Sequence, residues 1–303
     1  MTAALVVLAG LVLVAIPGIC GPRFRLAGAE WARLAAASLA AGIAAIELGL
    51  VMLALPTVLR ALHAAGFAAI CERVLAPLAP GGDLLGWVAV GLASVVTIRA
   101  FRAGRCAQRD AHAARVEPWL GVHEQRGEYE LVVLPTEQLL AVSVPATPPQ
   151  ILVSDGLVSR LEAEELEAVI RHEAAHHRFR HWRYSLLAVT LERALRPLPL
   201  VGRSTQALRT ALEAWADEGA AGSLPHGRAL VRRAIVTVAG MPGAPGALER
   251  ARRLAHPTSA RPLSLRVVAH GPVLFLAVGL LVLLSSWAVG VHHAVALAGY
   301  CPD

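Results

Sequence analysis

Not one lysine occurs in the 303 residues: all 28 basic side chains are arginine, and only 17% of the chain is charged. Aromatic residues are sparse too, at 5%. Nucleic-acid recognition needs a clustered basic footprint, with aromatics for stacking on single strands. Here the arginines are scattered or sit beside apolar runs, so no nucleic-acid partner is expected despite a formal charge of +6. The four cysteines, Cys20, Cys71, Cys106 and Cys301, form no CxxC pair. That excludes a zinc ribbon and a thioredoxin-type motif, and leaves small buried hydrophobes as their default role. What the chain does have is apolar bulk: it is 56% hydrophobic, with a mean hydropathy of +0.56. This is too apolar for an ordinary soluble domain and predicts several membrane spans plus a smaller polar part.

Four stretches approach the roughly 20 apolar residues that cross a hydrocarbon core. The first, "ALVVLAGLVLVAIPGI", carries no charge between Met1 and Pro22. It lacks the basic leader of a cleaved signal peptide. Glu47 is the only charge of the second and Asp83 of the third; the fourth, "GPVLFLAVGLLVLLSSWAVGV", has none. The expected organisation is a membrane domain over 1–99, with spans at about 3–20, 34–58 and 84–99. A polar domain over 100–266 follows, then a last span and short tail over 267–303.

Arginines set the orientation. Arg23, Arg25 and Arg33 follow the first span; Arg99, Arg102, Arg105 and Arg109 follow the third; Arg261 and Arg266 precede the fourth. The loop between spans two and three holds only Arg60 and Arg73. Positive-inside bias then places both termini outside and 100–266 in the cytoplasm of a multi-pass protein in contact with membrane lipid. Cys71 and Cys301 would share the oxidising side, where a disulfide between them is allowed. A charge inside a span is costly, so Glu47 is either functional or paired with a polar group on a neighbouring helix.

In the polar part, 131–134, 140–144 and 151–153 are short β-leaning runs separated by prolines, which predicts a small antiparallel sheet. Ser159 with Glu162 reads as a capping box, and Arg178, Arg180 and Arg183 come late, so one helix is expected over about 160–190. It contains "RHEAAHHRFRHW", with four histidines and one glutamate in twelve positions.

Residues four apart share a helix face. Two pairs qualify, His172/His176 and His177/His181, and the residue after the first histidine separates them. Glu173 follows His172, whereas Arg178 follows His177. HExxH puts two imidazoles on one metal and a carboxylate about 100° round the helix, beside the water that the metal activates. Glu173 is thus the expected general base, with His172 and His176 as ligands; His177 and His181 are expected to be surface histidines. Catalytic zinc takes three protein ligands. In "ALEAWADEGAA", Glu213 stands alone in an alanine-rich helix and is the expected third. Asp217, four residues on, can hold a ligand histidine by its other ring nitrogen.

"ILVSDGLVSRLEAEELEAVIRHEAAHH" followed by "EAWADEGAA" resembles the BlaR/MecR family of integral-membrane zinc metallopeptidases and, more distantly, the HtpX and CAAX-prenyl-protease relatives. The resemblance covers roughly 130–221. It implies a mainly α membrane protein of about four helices with a gluzincin-like α+β domain. It also implies Zn²⁺ on His172, His176 and Glu213, Glu173 as base, and Asp217 orienting a ligand. A strand near 140–144 would present its edge to an extended peptide. Relatives often carry an acid five residues after the second histidine, where this chain has His181. The chain stops at Asp303 and has no SxxK nucleophile, so the penicillin-binding sensor domain of the β-lactam sensors is not expected. Weak candidates to stabilise an oxyanion are His226, Arg228 and His256.

The function expected is zinc-dependent cleavage of a cytoplasmic or membrane-proximal protein, by analogy a repressor in regulatory signalling. The alternative is a signalling or scaffold protein of the same fold with vestigial proteolysis. A transporter, suggested by Glu47, His292 and His293, fits poorly because no repeats are visible.

Overall fold

The computed structural model describes residues 2–21, 27–61, 82–113, 121–196, 198–238 and 246–255. The expected fourth span, Cys71, Cys301, His256, His292 and His293 lie outside the described residues.

Three helices begin the chain: α1 (Thr2–Cys20), α2 (Gly28–Ala61) and α3 (Gly82–Ala113). Each is long and apolar enough to cross a membrane, over Ala3–Cys20, Gly28–Val58 and Gly82–Asp110. At 1.5 Å per residue, the 32 residues of α3 reach about 48 Å, well beyond a hydrocarbon core of about 30 Å. Its arginine-bearing end therefore continues the helix past the third expected span. Leu84, Trp87, Leu92, Val95 and Ile98 on α3 and Leu5, Leu8 and Val12 on α1 are all exposed. Such stripes suit lipid rather than water.

Small residues let α1 and α2 approach closely. A Cβ on Gly42 would come within 2.8 Å of the Gly10 carbonyl oxygen, and Ser38 Oγ donates to the Leu13 carbonyl at 2.7 Å.

The sheet is mixed, which corrects the antiparallel expectation. Strands β1 (Val122–Arg126), β2 (Tyr129–Leu134), β3 (Ala141–Val144) and β4 (Gln150–Ser154) lie in the order β1-β2-β4-β3. The proline-rich turn after β3 folds β4 back antiparallel beside it, and β4 also pairs parallel with β2. This leaves β3 on an edge. All of β4 is buried: Ile151 and Val153 pack with Leu131 and Ile170, while Leu152 packs with Val132 and Val144. A single 160–190 helix does not form. Ser154 caps α4 (Asp155–Arg160), its Oγ accepting from Leu157 N–H at 3.2 Å. Ser159 caps nothing; its hydroxyl donates to the Gly156 carbonyl at 3.1 Å.

The capping box belongs one turn later, where Glu162 N–H donates to Glu165 at 3.4 Å and opens α5 (Ala163–Arg178). Arg180 then takes a left-handed conformation at φ 54°. That breaks the helix and starts α6 (His181–Ala194).

Helices α7 (Pro199–Gly222), α8 (Gly227–Val238) and α9 (Ala247–Ala255) complete the described chain. One core joins the membrane helices to α6 and α7: Val14, Trp31, Ala35 and Leu39 pack with Ala188, Leu191, Leu208, Ala211 and Trp215. A second holds α8 and α9 against α5 and α7 through Ala168, Ala220, Val231, Ile235, Ala251 and Leu254. The start of α2 is pinned to α7. A Cβ on Gly28 would lie 2.5 Å from the Trp215 nitrogen, and Gly28 N–H donates to both Glu218 oxygens at 3.2 Å.

Candidate metal centre

Helix α5 projects His172 and His176 from one face, one turn apart, and their Nε2 atoms are 3.1 Å from each other. Helix α7 crosses α5 and brings Glu213 in. Glu213 Oε2 lies 3.4 Å from His172 Nε2 and Oε1 lies 3.6 Å from His176 Nε2. One ligand atom from each of the three falls within 4.8 Å of the others. Four ligands at zinc–nitrogen and zinc–oxygen lengths of 2.0–2.1 Å would be about 3.3 Å apart along a tetrahedron's edges. The edge between the two nitrogens is 3.1 Å, and each nitrogen lies 3.4 or 3.6 Å from a different oxygen of the one Glu213 carboxylate, close to that value. Two imidazole nitrogens plus a carboxylate is a donor set that catalytic zinc accepts. The residues present fit the ion.

Each imidazole turns its Nε2 to the shared point and has a polar neighbour at Nδ1. Asp217 Oδ1 is 3.0 Å from His172 Nδ1, and His181 Nδ1 is 2.9 Å from His176 Nδ1. Asp217, only 2% exposed, is clamped by Arg250 of α9. Its guanidinium Nε donates at 2.8 Å and its Nη2 at 2.6 Å, while Nη1 lies 3.0 Å from Glu213 Oε2. Glu173 lines the same cavity and accepts from the backbone N–H of Ser143 on β3. The cavity encloses about 820 Å³. One wall is 139–143, including edge strand β3; another is apolar, with Val169, Val231, Ala234, Ile235 and Val238.

The electrostatics follow from burial and these pairings. Burial pushes the Glu173 carboxyl up, and the charge on His172 only partly opposes this. Burial alone would keep His172 neutral, but Asp217 and Glu213 outweigh it and push its pKa up to about 10. Burial, followed by the charge on His172, presses His176 down to about 4; burial presses His181 down to about 3. Hydrogen bonding from His172 holds Glu213 well below the usual carboxylate range despite its burial.

Before an ion binds, His172 therefore carries a proton at pH 7 that a metal must displace. Zinc titrated into the metal-free chain at pH 7 should expel about one proton per ion, and affinity should rise about tenfold from pH 7 to pH 8. Calorimetry in buffers of different ionisation enthalpy reads this directly, and zero proton release would refute it. The raised value also stabilises the metal-free fold, fully below about pH 6.5 and progressively less as pH climbs towards 10.

All five residues picked from sequence, His172, Glu173, His176, Glu213 and Asp217, line this one cavity. Two of the site's polar neighbours escaped that reading. His181 is 1% exposed rather than a surface histidine. Arg250 sits on the buried stripe of α9 between Ala247, Ala251 and Leu254, a spacing visible in "ALERARRLA" although one arginine among three looks ordinary. Neither His226 nor Arg228 is among the described residues that line the cavity. His177, half-buried, is not among the described residues that line the cavity and places Nε2 3.4 Å from the Gln150 carbonyl. Glu47 is half-buried in α2 and bonds Thr97 of α3, the neighbouring-helix pairing that a charge within a span invites.

Residues 107–207 match the family model for Peptidase family M48. The matched segment contains the HExxH pair and ends before Glu213. Over that third of the chain the protein is similar to family M48, a family of metallopeptidases that are typically zinc-dependent; the match does not reach the BlaR/MecR type in particular. No curated protein and no solved structure gives a match.

Proposed function

We propose that the protein is an integral-membrane, zinc-dependent endopeptidase that cleaves an extended segment of a membrane-proximal protein on the cytoplasmic side. The observation that carries this reading is the convergence of His172, His176 and Glu213, with Glu173 lining the same cavity. The family match and the three apolar helices support its coarser outline. The common core of α1, α2, α6 and α7 supports a site held close to the membrane, and the arginine distribution supports the cytoplasmic side.

Bound zinc supplies Lewis acidity, which acidifies a water molecule and polarises a carbonyl. The remaining steps belong to the chain. Edge strand β3 adds the substrate as a further strand through backbone hydrogen bonds, with the apolar wall receiving an apolar side chain. Glu173 takes one proton from the attacking water as its oxygen bonds to the scissile carbonyl carbon. Glu173 then delivers that proton to the departing amine nitrogen as the C–N bond breaks. Its raised pKa suits both halves of this transfer. Asp217, Arg250 and His181 hold the ligands still. A regulatory role, with a repressor as substrate, rests on analogy with the resembling family.

The test uses the full chain in proteoliposomes with an unstructured, membrane-anchored peptide reporter. Cleavage that a zinc chelator stops and added zinc restores is the expected result. Cleavage indifferent to chelation would overturn the assignment.

A further inference from the structure

We infer that His181 is a positioning residue that sets the tautomer of the metal ligand His176, through a histidine–histidine contact between two Nδ1 atoms. The inference rests on the reading of His172, His176 and Glu213 as a zinc site and adds a residue to it.

Two neutral imidazoles whose Nδ1 atoms are 2.9 Å apart can share only one proton along that line. If His181 donates, the proton of His176 must sit on Nε2, which then has no lone pair to offer a metal. If His176 donates, its Nε2 lone pair is free. His181 then accepts at Nδ1 and carries its own proton on Nε2. Only the second arrangement lets His176 ligate, so acceptance by His181 and ligand competence of His176 are one condition. The two ring planes are nearly perpendicular, at 86°, with centroids 4.8 Å apart.

The burial of His181 argues that this contact, and not solvent, is what its ring serves. It is 1% exposed and packed against aromatic rings, with centroids 4.7 Å from Trp215, 5.8 Å from Phe179 and 6.5 Å from Tyr184. Its Nε2 is buried without a hydrogen-bond partner among the described residues. As a mere filler of an aromatic box, histidine would be a poor choice, because an unmatched ring nitrogen costs stability that phenylalanine would not lose. With Nε2 unmatched, Nδ1 is the ring nitrogen of His181 that has a polar partner among the described residues, so its contact with His176 is what a histidine supplies here. The left-handed Arg180 sets this up: by ending α5 and restarting the helix at His181, it folds the His181 ring back towards His176. The two ligand histidines thus have unlike neighbours at Nδ1, the carboxylate of Asp217 beside His172 and the ring of His181 beside His176.

The test compares zinc affinity, by chelator competition on the full chain in detergent micelles, for wild type, His181→Phe and His181→Asp. Phenylalanine keeps the aromatic packing and removes the acceptor. It exchanges the unmatched Nε2 of His181 for an unmatched Nδ1 on His176, so the metal-free unfolding temperature should change little while zinc binding weakens about 10- to 100-fold. Aspartate, which can only accept when ionised, should recover most of that loss. Wild-type affinity in His181→Phe would overturn the inference. Should that variant fail to fold, histidine ¹⁵N spectra of the zinc-loaded wild type decide the matter. The inference requires Nδ1–H on His176 and Nε2–H on His181, and a proton on Nδ1 of His181 would overturn it. A wild type that binds no zinc would overturn the site itself, an outcome distinct from unchanged affinity in the variant.

Discussion

Replacing Glu173 by glutamine is expected to slow peptide hydrolysis by about 10²- to 10⁴-fold, the usual range for a positioned acid–base group, while zinc content stays at the wild-type level. Glutamine keeps the shape of the side chain and can still occupy the space beside β3, but it cannot take a proton from water. Glu173 is not among the three converging ligands, so the ion should stay. The outcome separates proteolysis from the scaffold alternative, since a vestigial enzyme would show no change in its biological output. A variant with full zinc and undiminished cleavage would remove Glu173 from the chemistry. A variant that lost zinc as well would mean the side chain belongs to the ligand set instead.

Arg250→Leu is expected to destabilise the fold by about 3–5 kcal/mol, the range for stripping one partner from a buried ion pair. Asp217 is 2% exposed and receives two short hydrogen bonds from Arg250. Without them its carboxylate stays buried with His172 Nδ1 as its remaining close partner. Leucine fills space but satisfies nothing, so the desolvation of the charge is left uncompensated. Arg252, exposed on the other face of α9, supplies the control: Arg252→Leu should change stability by no more than about 0.5 kcal/mol. Thermal unfolding of both variants in micelles measures the difference. Equal melting temperatures would show that the clamp on Asp217 is not a structural element.

Local spacing explains why parts of the site are legible in the sequence. His172, Glu173 and His176 lie within one turn and a third of helix, so their mutual placement is fixed once α5 forms. Glu213 and Asp217 likewise share a face of α7, and each stands out in an alanine-rich helix. The apolar spans need only a count of uncharged residues.

Features that depend on tertiary context are illegible. Strand β1, "VHEQR", is largely exposed and has no apolar alternation to mark it; it forms by pairing with β2 across a turn at Gly127, whose φ is +59°. The parallel β2–β4 pairing is set by which strand the proline-rich turn returns to, not by the strands' composition. The break at Arg180 comes in a run of helix-tolerant residues, so periodicity carries straight through it. That break also hides His181: on an unbroken helix it would sit next to His177, whereas the restart turns it onto His176 and into the aromatic box. Arg250 is remote in sequence from every residue it clamps.

Metal analysis of the purified full chain, wild type beside Glu213→Ala, tests the convergence of three ligands most directly. One zinc per wild-type chain and no stoichiometric zinc in the variant is the predicted result. A Glu213→Ala chain that still held one zinc with wild-type affinity would contradict it.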